Sequence, residues 1–525
     1  MKIFKIKNKY LLVLLAIILL GGFLRFYNLG EKVFVADEFL GVNTTYGFLH
    51  TGEWKRWDFN RGELMDDSGY HKTFFDLDFW GGGERSYTRA WLYNWQIVQS
   101  LKFVPSDEEY SYRVVSAIWG ILSIIVVYFV SLGFTKNKTI SIISAFLMAV
   151  SLDSINFSRK VRMYSMFMPV FLVFSYYVFQ FLESRREWGV RWIGKLNEKV
   201  GFNLTYLLPV VLLGVLSTHL HLLSVNIIPI VIVYFITGFI FKFLKENNVN
   251  NKYGIYILII ALACLVFYSK LSAVGNFLGL ENHYSYVEKI FRDYSSKILA
   301  VILVLFGTYQ ISRKGNRGGL FISSAFWVIL IMAVFFWKRT AGEQYIYFIK
   351  PFQVILISAG IYGVFSFLRS NLRDASSKIA MVAAGILLLI LPNYLYLFSD
   401  NGFYNQTSRS ENPNYKQAFS YFLRHKNEDD VLVTREFRNY YFEGANVDVV
   451  SLGGERSSKD ERRLTEKRLS GLIENTNACV WVIVSENDMS FVTKEAEEYM
   501  KNEMHEVKSN KVRGTIGAYT SCLEE

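Results

Sequence analysis

Residues 30–54 read GEKVFVADEFLGVNTTYGFLHTGEW, and they follow the first long apolar run of the chain directly. The acidic pair Asp37-Glu38 stands among Val33, Phe34, Val35, Ala36, Phe39 and Leu40. A carboxylate just past the mouth of a membrane span is partly dehydrated yet open to water, which makes it a site candidate. The plainer reading is a solvated loop acid at the level of the lipid headgroups. Either reading requires the flanking run to be a span.

The 525 residues are 52% hydrophobic and 17% aromatic, too apolar for an ordinary soluble enzyme. Stretches of about 18 or more apolar residues read as membrane helices. Eleven are expected, at about 10–27, 113–134, 139–155, 163–183, 204–219, 222–243, 254–273, 297–312, 319–337, 349–368 and 378–398. The formal charge of +11 is spread over the connecting loops and forms no single basic stripe, so membrane topology accounts for it better than nucleic acid does. With Lys2, Lys5, Lys7 and Lys9 on the cytoplasmic side, the inside loops are TKNK, ESRREWGVRWIGKLNEKV, KENNVNNK, SRKGNRGG and RSNLRDASS, basic as the positive-inside rule asks. A cleaved signal peptide at residues 10–24 is the alternative, but no A-x-A-like site follows it. The expectation is a multi-pass protein of the cell membrane with a cytoplasmic N-terminus and an extracytoplasmic C-terminal region.

Several unusual groups then fall on the outer face. The first loop is rich in Trp, Tyr, Phe and Gly. It ends in a stretch, Trp91 to Phe103, whose helical repeat suits the membrane interface. Its acids Asp66, Asp67, Asp76 and Asp78 are either a solvated face or a metal cluster, without the ordered spacing of a calcium loop. The turn SLDSINFSRKVRMYS carries Asp153, Arg159, Lys160, Arg162 and Tyr164, with three cations on the side where cations are depleted. Phosphate binding by arginine forks is one reason for them, and attraction to anionic headgroups is the other. LSTHLHLLS holds His219 and His221, and WKRTAGEQYIYFIKP holds Lys338, Arg339, Tyr345, Tyr347 and Lys350. A topology counted from the loops thus brings the acid pair, the arginines and the histidines to one membrane face.

From about residue 400 the composition turns polar. Short β-type runs at 431–434, 447–452, 479–485 and 513–520, with helical stretches near 459–474 and 492–503, predict a small α/β domain over 401–525 beside a membrane part over 1–400 that includes the loop 30–110. No Gly-rich phosphate fingerprint, CxxC pair or Ser-His-Asp set appears in the small domain. Of the three cysteines, Cys264 falls in an apolar run. Cys479 opens one strand and Cys522 follows another, so antiparallel neighbours would join them in a disulfide.

Taken together, LRFYNLG (24–30), the acid pair 37–38 followed by TGEW (51–54), SYRVVSAIWG (111–120), SRKVRMYS (158–165), THLHLL (218–223) and QYIYFIKP (344–351) resemble the GT-C superfamily of membrane glycosyltransferases. The likeness is to glycosyltransferase family 39 in particular, which includes dolichyl-phosphate-mannose protein mannosyltransferases and the aminoarabinose transferase of lipid A. It covers most of the membrane part and none of 401–525. It implies a mainly α polytopic fold, a polyprenyl-phosphate sugar donor, and catalysis by the first-loop acid, which falls on Asp37. The family's phosphate-contacting basic residue falls on Arg89. The prolines that follow it there are Ala90 and Trp91 here, its neighbouring metal-ligand position is Thr88, and the arginine of the usual Arg-Tyr before the tenth helix is Gln344. The WWDYG signature of oligosaccharyltransferases is absent.

The chemistry is coherent on its own terms. A sugar on a polyprenyl phosphate already has a good leaving group, so a transferase needs a base for the acceptor hydroxyl and cations for the departing phosphate. Asp37 is expected as the base with Glu38 beside it. Arg89, Arg159, Arg162, His219 and Arg339 are expected near the donor phosphate, and Asp153, Tyr164, His221 and Tyr345 along the substrates. No cofactor is certain, though there is room for a divalent metal. The partners are the lipid-linked donor, an acceptor on protein, lipid or glycan, and membrane lipids. The competing expectations are a transporter or lipid flippase, and an oligosaccharyltransferase-like enzyme. A transporter would bury ionisable groups near mid-bilayer, whereas here they gather at one end of nearly charge-free runs.

Overall fold

The computed structural model describes residues 8–65, 90–104, 108–184, 191–246, 283–313, 316–337, 342–371, 376–405, 413–453, 463–507 and 516–522. Apart from 254–273, which lies outside these, every expected apolar run coincides with a helix over most of its length. Among the described residues six helices are long and apolar enough to cross a membrane: Lys9–Phe26, Glu109–Thr135, Tyr164–Glu183, Leu222–Ile240, Arg317–Phe335 and Glu343–Ser370. A seventh is reached by counting Lys138–Val150 with Leu152–Ser158, a pair bent by 57°. The bend falls at Ser151, whose extended backbone (φ −62°, ψ 123°) ends one helix while its hydroxyl caps the next by accepting from Ser154 N. Shorter apolar helices run over Leu204–Leu220 and Lys297–Ser312. The chain is a multi-pass membrane protein.

Two compact units divide the chain. One holds residues 1–27, 116–159 and 163–395, and so contains nearly all of the apolar helices. Close backbone approach marks its packing: a Cβ on Gly307 would lie 1.8 Å from the Leu356 carbonyl oxygen, and one on Gly360 would lie 2.3 Å from that of Leu303. These two glycines let Lys297–Ser312 and Lys350–Asn371 lie against each other backbone to backbone, the packing mode favoured where lipid removes the hydrophobic drive.

The other unit gathers 28–115, 160–162 and 396–525. Its core is a five-stranded sheet in the spatial order Asp448–Ser451, Val431–Thr434, Val480–Ser485, Ile516–Thr520, His505–Glu506. The first three strands are parallel and the last two pair antiparallel. Val480–Ser485 is buried at every position, as a continuous apolar run in a central parallel strand should be. Cys479 and Cys522 are disulfide-bonded, with Cα atoms 5.5 Å apart, across the register that pairs Trp481 with Thr520. The first loop belongs to this same unit. Gly444 N donates to Phe59 O and Asn446 N to Asn60 O, while the Asn60 amide bonds Val447 through both of its ends.

Candidate active site

Asp37 and Glu38 open the helix Ala36–Thr51, whose N-cap is Val35 in extended conformation. Val35 has no side-chain oxygen to offer the first turn. Glu38 supplies the cap from within: its Oε2 accepts from Val35 N at 2.9 Å. The same carboxylate takes both prongs of the Arg113 guanidinium, Nε at 2.9 Å and Nη2 at 2.8 Å, and a fourth bond from Val161 N at 2.8 Å. Arg113 in turn donates to the carbonyls of Leu29, Lys32 and Val33 and lies over the Phe34 ring. The side chains are 3% and 0% exposed, so this is a dry, bidentate pair whose remaining valences are also filled. Glu38 therefore has every acceptor direction occupied.

Asp37 has the opposite surroundings. Its side chain is 63% exposed, and its carboxylate stands 3.6 Å from Arg162 Nη2. Arg162 Nη1 also donates to the Asp37 carbonyl at 3.0 Å. The helix presents three faces to three neighbours. Glu38 meets Arg113. Asp37 and Gly41, one turn apart, face the 160–162 turn, where a Cβ on Gly41 would come within 3.1 Å of Val161 Cγ1. Phe39 and Asn43 face the segment Glu436–Phe442, with Phe39 against the rings of Phe437 and Tyr441 and the Asn43 amide donating to Asn439 Oδ1 at 2.9 Å. An exposed carboxylate fixed beside a guanidinium by three packed faces is an arrangement able to take a proton from a hydroxyl brought to it.

In the helical unit, Arg159 donates to the carbonyls of Arg25 and Tyr27 and so caps the end of the first helix. Arg25 does the same for Lys138–Val150 through Met148 O and Ala149 O, and also reaches Ser154 Oγ at 2.6 Å. A cation that the loop count expects on the outer face thus has a structural use at Arg159. Asp153 sits in a buried network: Arg292 Nη2 and Lys350 Nζ each approach it to 2.7 Å, and Lys350 is also 3.3 Å from Asp293. Asp293 accepts from Ser151 Oγ and Asp153 N, and Glu343 pairs with Arg292 on the outside of the network. Burial pushes the Asp293 carboxyl above its usual range, with Lys350 pulling it back down. His221 uses Nδ1 to accept from Leu223 N, and the Tyr164 hydroxyl lies 3.4 Å from its Nε2. His219 is half-buried in the last turn of Leu207–Leu220, and Tyr345 is half-buried on Glu343–Ile346.

Arg89 and Arg339 lie outside the described residues, as do Asp66, Asp67, Asp76 and Asp78. Among the described residues no three His, Cys, Asp or Glu side chains come together as a metal-binding set. Arg113, Asp293, Arg292 and Lys350 carry the two buried networks, and sequence reading did not single out the first three. The available signal was an ionisable residue at the edge of an apolar run, as Arg113 is in SYRVVSAIWG.

Among solved structures, the chain superposes over 97% of its length on 74% of the archaeal oligosaccharyltransferase AglB from Archaeoglobus fulgidus in complex with an inhibitory peptide and a dolichol-phosphate, with a TM-score of 0.59 at 12% identity. On ArnT from Cupriavidus metallidurans bound to undecaprenyl phosphate it covers 99% of both chains, with a TM-score of 0.54 at 9% identity. No protein-family model matches the chain, and no curated protein matches it by sequence. At such identities the likeness is one of fold, shared with the oligosaccharyltransferase AglB and with ArnT, and it agrees with the mainly α polytopic fold expected from the sequence.

Proposed function

We propose that the chain transfers a sugar from a polyprenyl-phosphate donor to an acceptor hydroxyl at the outer membrane face, with the N-terminus cytoplasmic and the sheet domain outside. The observation that carries this reading is the contrast between two adjacent acids. Glu38 is spent on Arg113, while Asp37 is held open beside Arg162. The GT-C fold supports it, since ArnT was solved with undecaprenyl phosphate and AglB with dolichol-phosphate.

In the proposed reaction Asp37 takes the proton of the acceptor hydroxyl as its oxygen attacks the anomeric carbon. The bond from that carbon to the phosphate oxygen breaks, and the lipid phosphate leaves with the electron pair. A single displacement inverts the anomeric centre. Arg162 orients Asp37 and lends positive charge to the same spot. Arg89 remains assigned to the donor phosphate through the family resemblance, and Arg339 and His219 through their place in the outer-side turns of the expected topology. Asp153, His221, Tyr164 and Tyr345 are assigned to the substrates by their place in those same turns.

Asp37→Asn keeps shape and removes the base. In detergent-purified protein it should bind radiolabelled undecaprenyl-phosphate sugars as the parent does and transfer or hydrolyse them about 100-fold more slowly or worse. Near-parental turnover would remove Asp37 from the mechanism. Transfer of a preassembled oligosaccharide is the second reading, favoured by the superposition on AglB. Offering a lipid-linked oligosaccharide beside the single-sugar donors separates the two.

A further inference from the structure

We propose that Tyr441 is a positioning residue for Asp37, so that the C-terminal part of the chain acts on the reaction through the Glu436–Phe442 segment. This rests on the reading of Asp37 as the base. The Tyr441 hydroxyl accepts from Phe34 N at 2.6 Å and donates to Glu109 Oε1 at 3.0 Å. Phe34 is 0% exposed and Glu109 is 3% exposed, so the bridge is dry. Phe34 lies three residues before Asp37, where the chain enters the helix and has no intrahelical bonds to fix it.

Two anchors set that entry. On one side Glu38 is locked by Arg113 and the Val161 amide. On the other, Tyr441 holds the Phe34 backbone, the Phe34 ring packs edge-on against Tyr440, and Phe39 packs against Phe437 and Tyr441. Asn439 holds the next turn through Asn43. Without the Tyr441 hydroxyl, the Phe34 N–H loses its acceptor, and Glu109 keeps the more distant Lys416 at 3.8 Å. The entry then pivots about the Glu38 anchor and carries the Asp37 carboxylate with it. Misplacement of a reacting group by about 1 Å costs up to about a hundredfold in rate.

The test compares Tyr441→Phe with Tyr415→Phe in the full-length protein, using the radiolabelled undecaprenyl-phosphate sugar turned over in the Asp37→Asn assay. Tyr415→Phe also deletes a buried hydroxyl bond, at 2.9 Å to Ser485 in the same unit, but keeps the ring over which Arg438 lies and leaves the Phe34 amide and Glu109 with their Tyr441 partner. The expected result is a roughly tenfold or greater fall in kcat for Tyr441→Phe with donor KM within about twofold, and parental kcat for Tyr415→Phe. In the Asp37→Asn background Tyr441→Phe should cost nothing further, because residues acting through one group are not additive. Parental kcat in Tyr441→Phe, an equal loss in Tyr415→Phe, or a full additional loss on top of Asp37→Asn would each overturn the proposal while leaving the base assignment standing. Failure of Asp37→Asn to lose activity would instead strike the base assignment. Should Tyr441→Phe not fold, Asn43→Ala is read in the same way, with a smaller expected loss of about threefold and the same absence of added cost beside Asp37→Asn.

Discussion

Glu38 and Asp37 are adjacent carboxylates with opposite energetic roles, and substitution should separate them. Glu38→Gln leaves the Arg113 guanidinium, 3% exposed, without its counter-charge. Breaking a buried pair from one side costs about 3–5 kcal/mol. A marked fall in thermal midpoint in detergent is expected, with lost activity following from lost fold. Asp37→Asn touches a side chain that is 63% exposed and paired only at 3.6 Å, where such pairs are worth about 0–1 kcal/mol. Its midpoint should stay near the parental value while turnover collapses. A Glu38→Gln protein as stable as its parent would show that the buried pair does not hold the helix entry. For Arg162, Lys should restore only part of what Ala loses, because an ammonium cannot donate to the Asp37 carbonyl and also hold a second arm beside the carboxylate as the guanidinium fork does.

At the scale of elements, the helix Ala36–Thr51 depends on a close approach at Gly41. An added Cβ would stand 3.1 Å from Val161 Cγ1 and 3.4 Å from the Val161 carbonyl oxygen. Either the valine yields by a few tenths of an ångström or the 160–162 turn shifts and takes Arg162 away from Asp37. Gly41→Ala is therefore expected to lower turnover severalfold with little change in midpoint, measured beside Asp37→Asn; unchanged turnover would mean the turn absorbs the methyl. The position of this helix also shows what sequence can encode. The apolar runs were legible because membrane helices need length and near-absence of charge, both local properties. The strand Val480–Ser485 was legible for the same reason. That Asp37 is open and Glu38 buried was not, because Glu38 owes its burial to Arg113, 75 positions away, and to Val161 N, 123 positions away. Nor does any local pattern reveal that Phe34 meets a tyrosine 407 positions on. Arg159 read as a surplus cation, since its helix-capping partners lie more than 130 positions away.

For the whole molecule, the composition of the second compact unit constrains topology independently of loop charge. Residues 28–115, 160–162 and 396–525 can assemble only if they emerge on the same membrane face. The first follows one expected span and the second follows three. The third follows eleven once the expected run at 254–273 is counted, so all three follow odd numbers of crossings. In the proposed orientation, which rests on the positive-inside distribution, that shared face is the outside. Single cysteines at Glu63 and Asp429, both exposed, should react with an impermeant maleimide on intact cells, whereas cysteines at Lys195 and Asn316 should react only after permeabilisation. Cys264 is replaced beforehand, and the Cys479–Cys522 disulfide is kept because closing its 43-residue separation contributes about 4 kcal/mol on the chain-entropy view. Opposite labelling of Glu63 and Asp429 would be incompatible with one unit built from both ends of the chain. Labelling of Lys195 from outside would reverse the orientation and take Asp37 away from any extracytoplasmic acceptor.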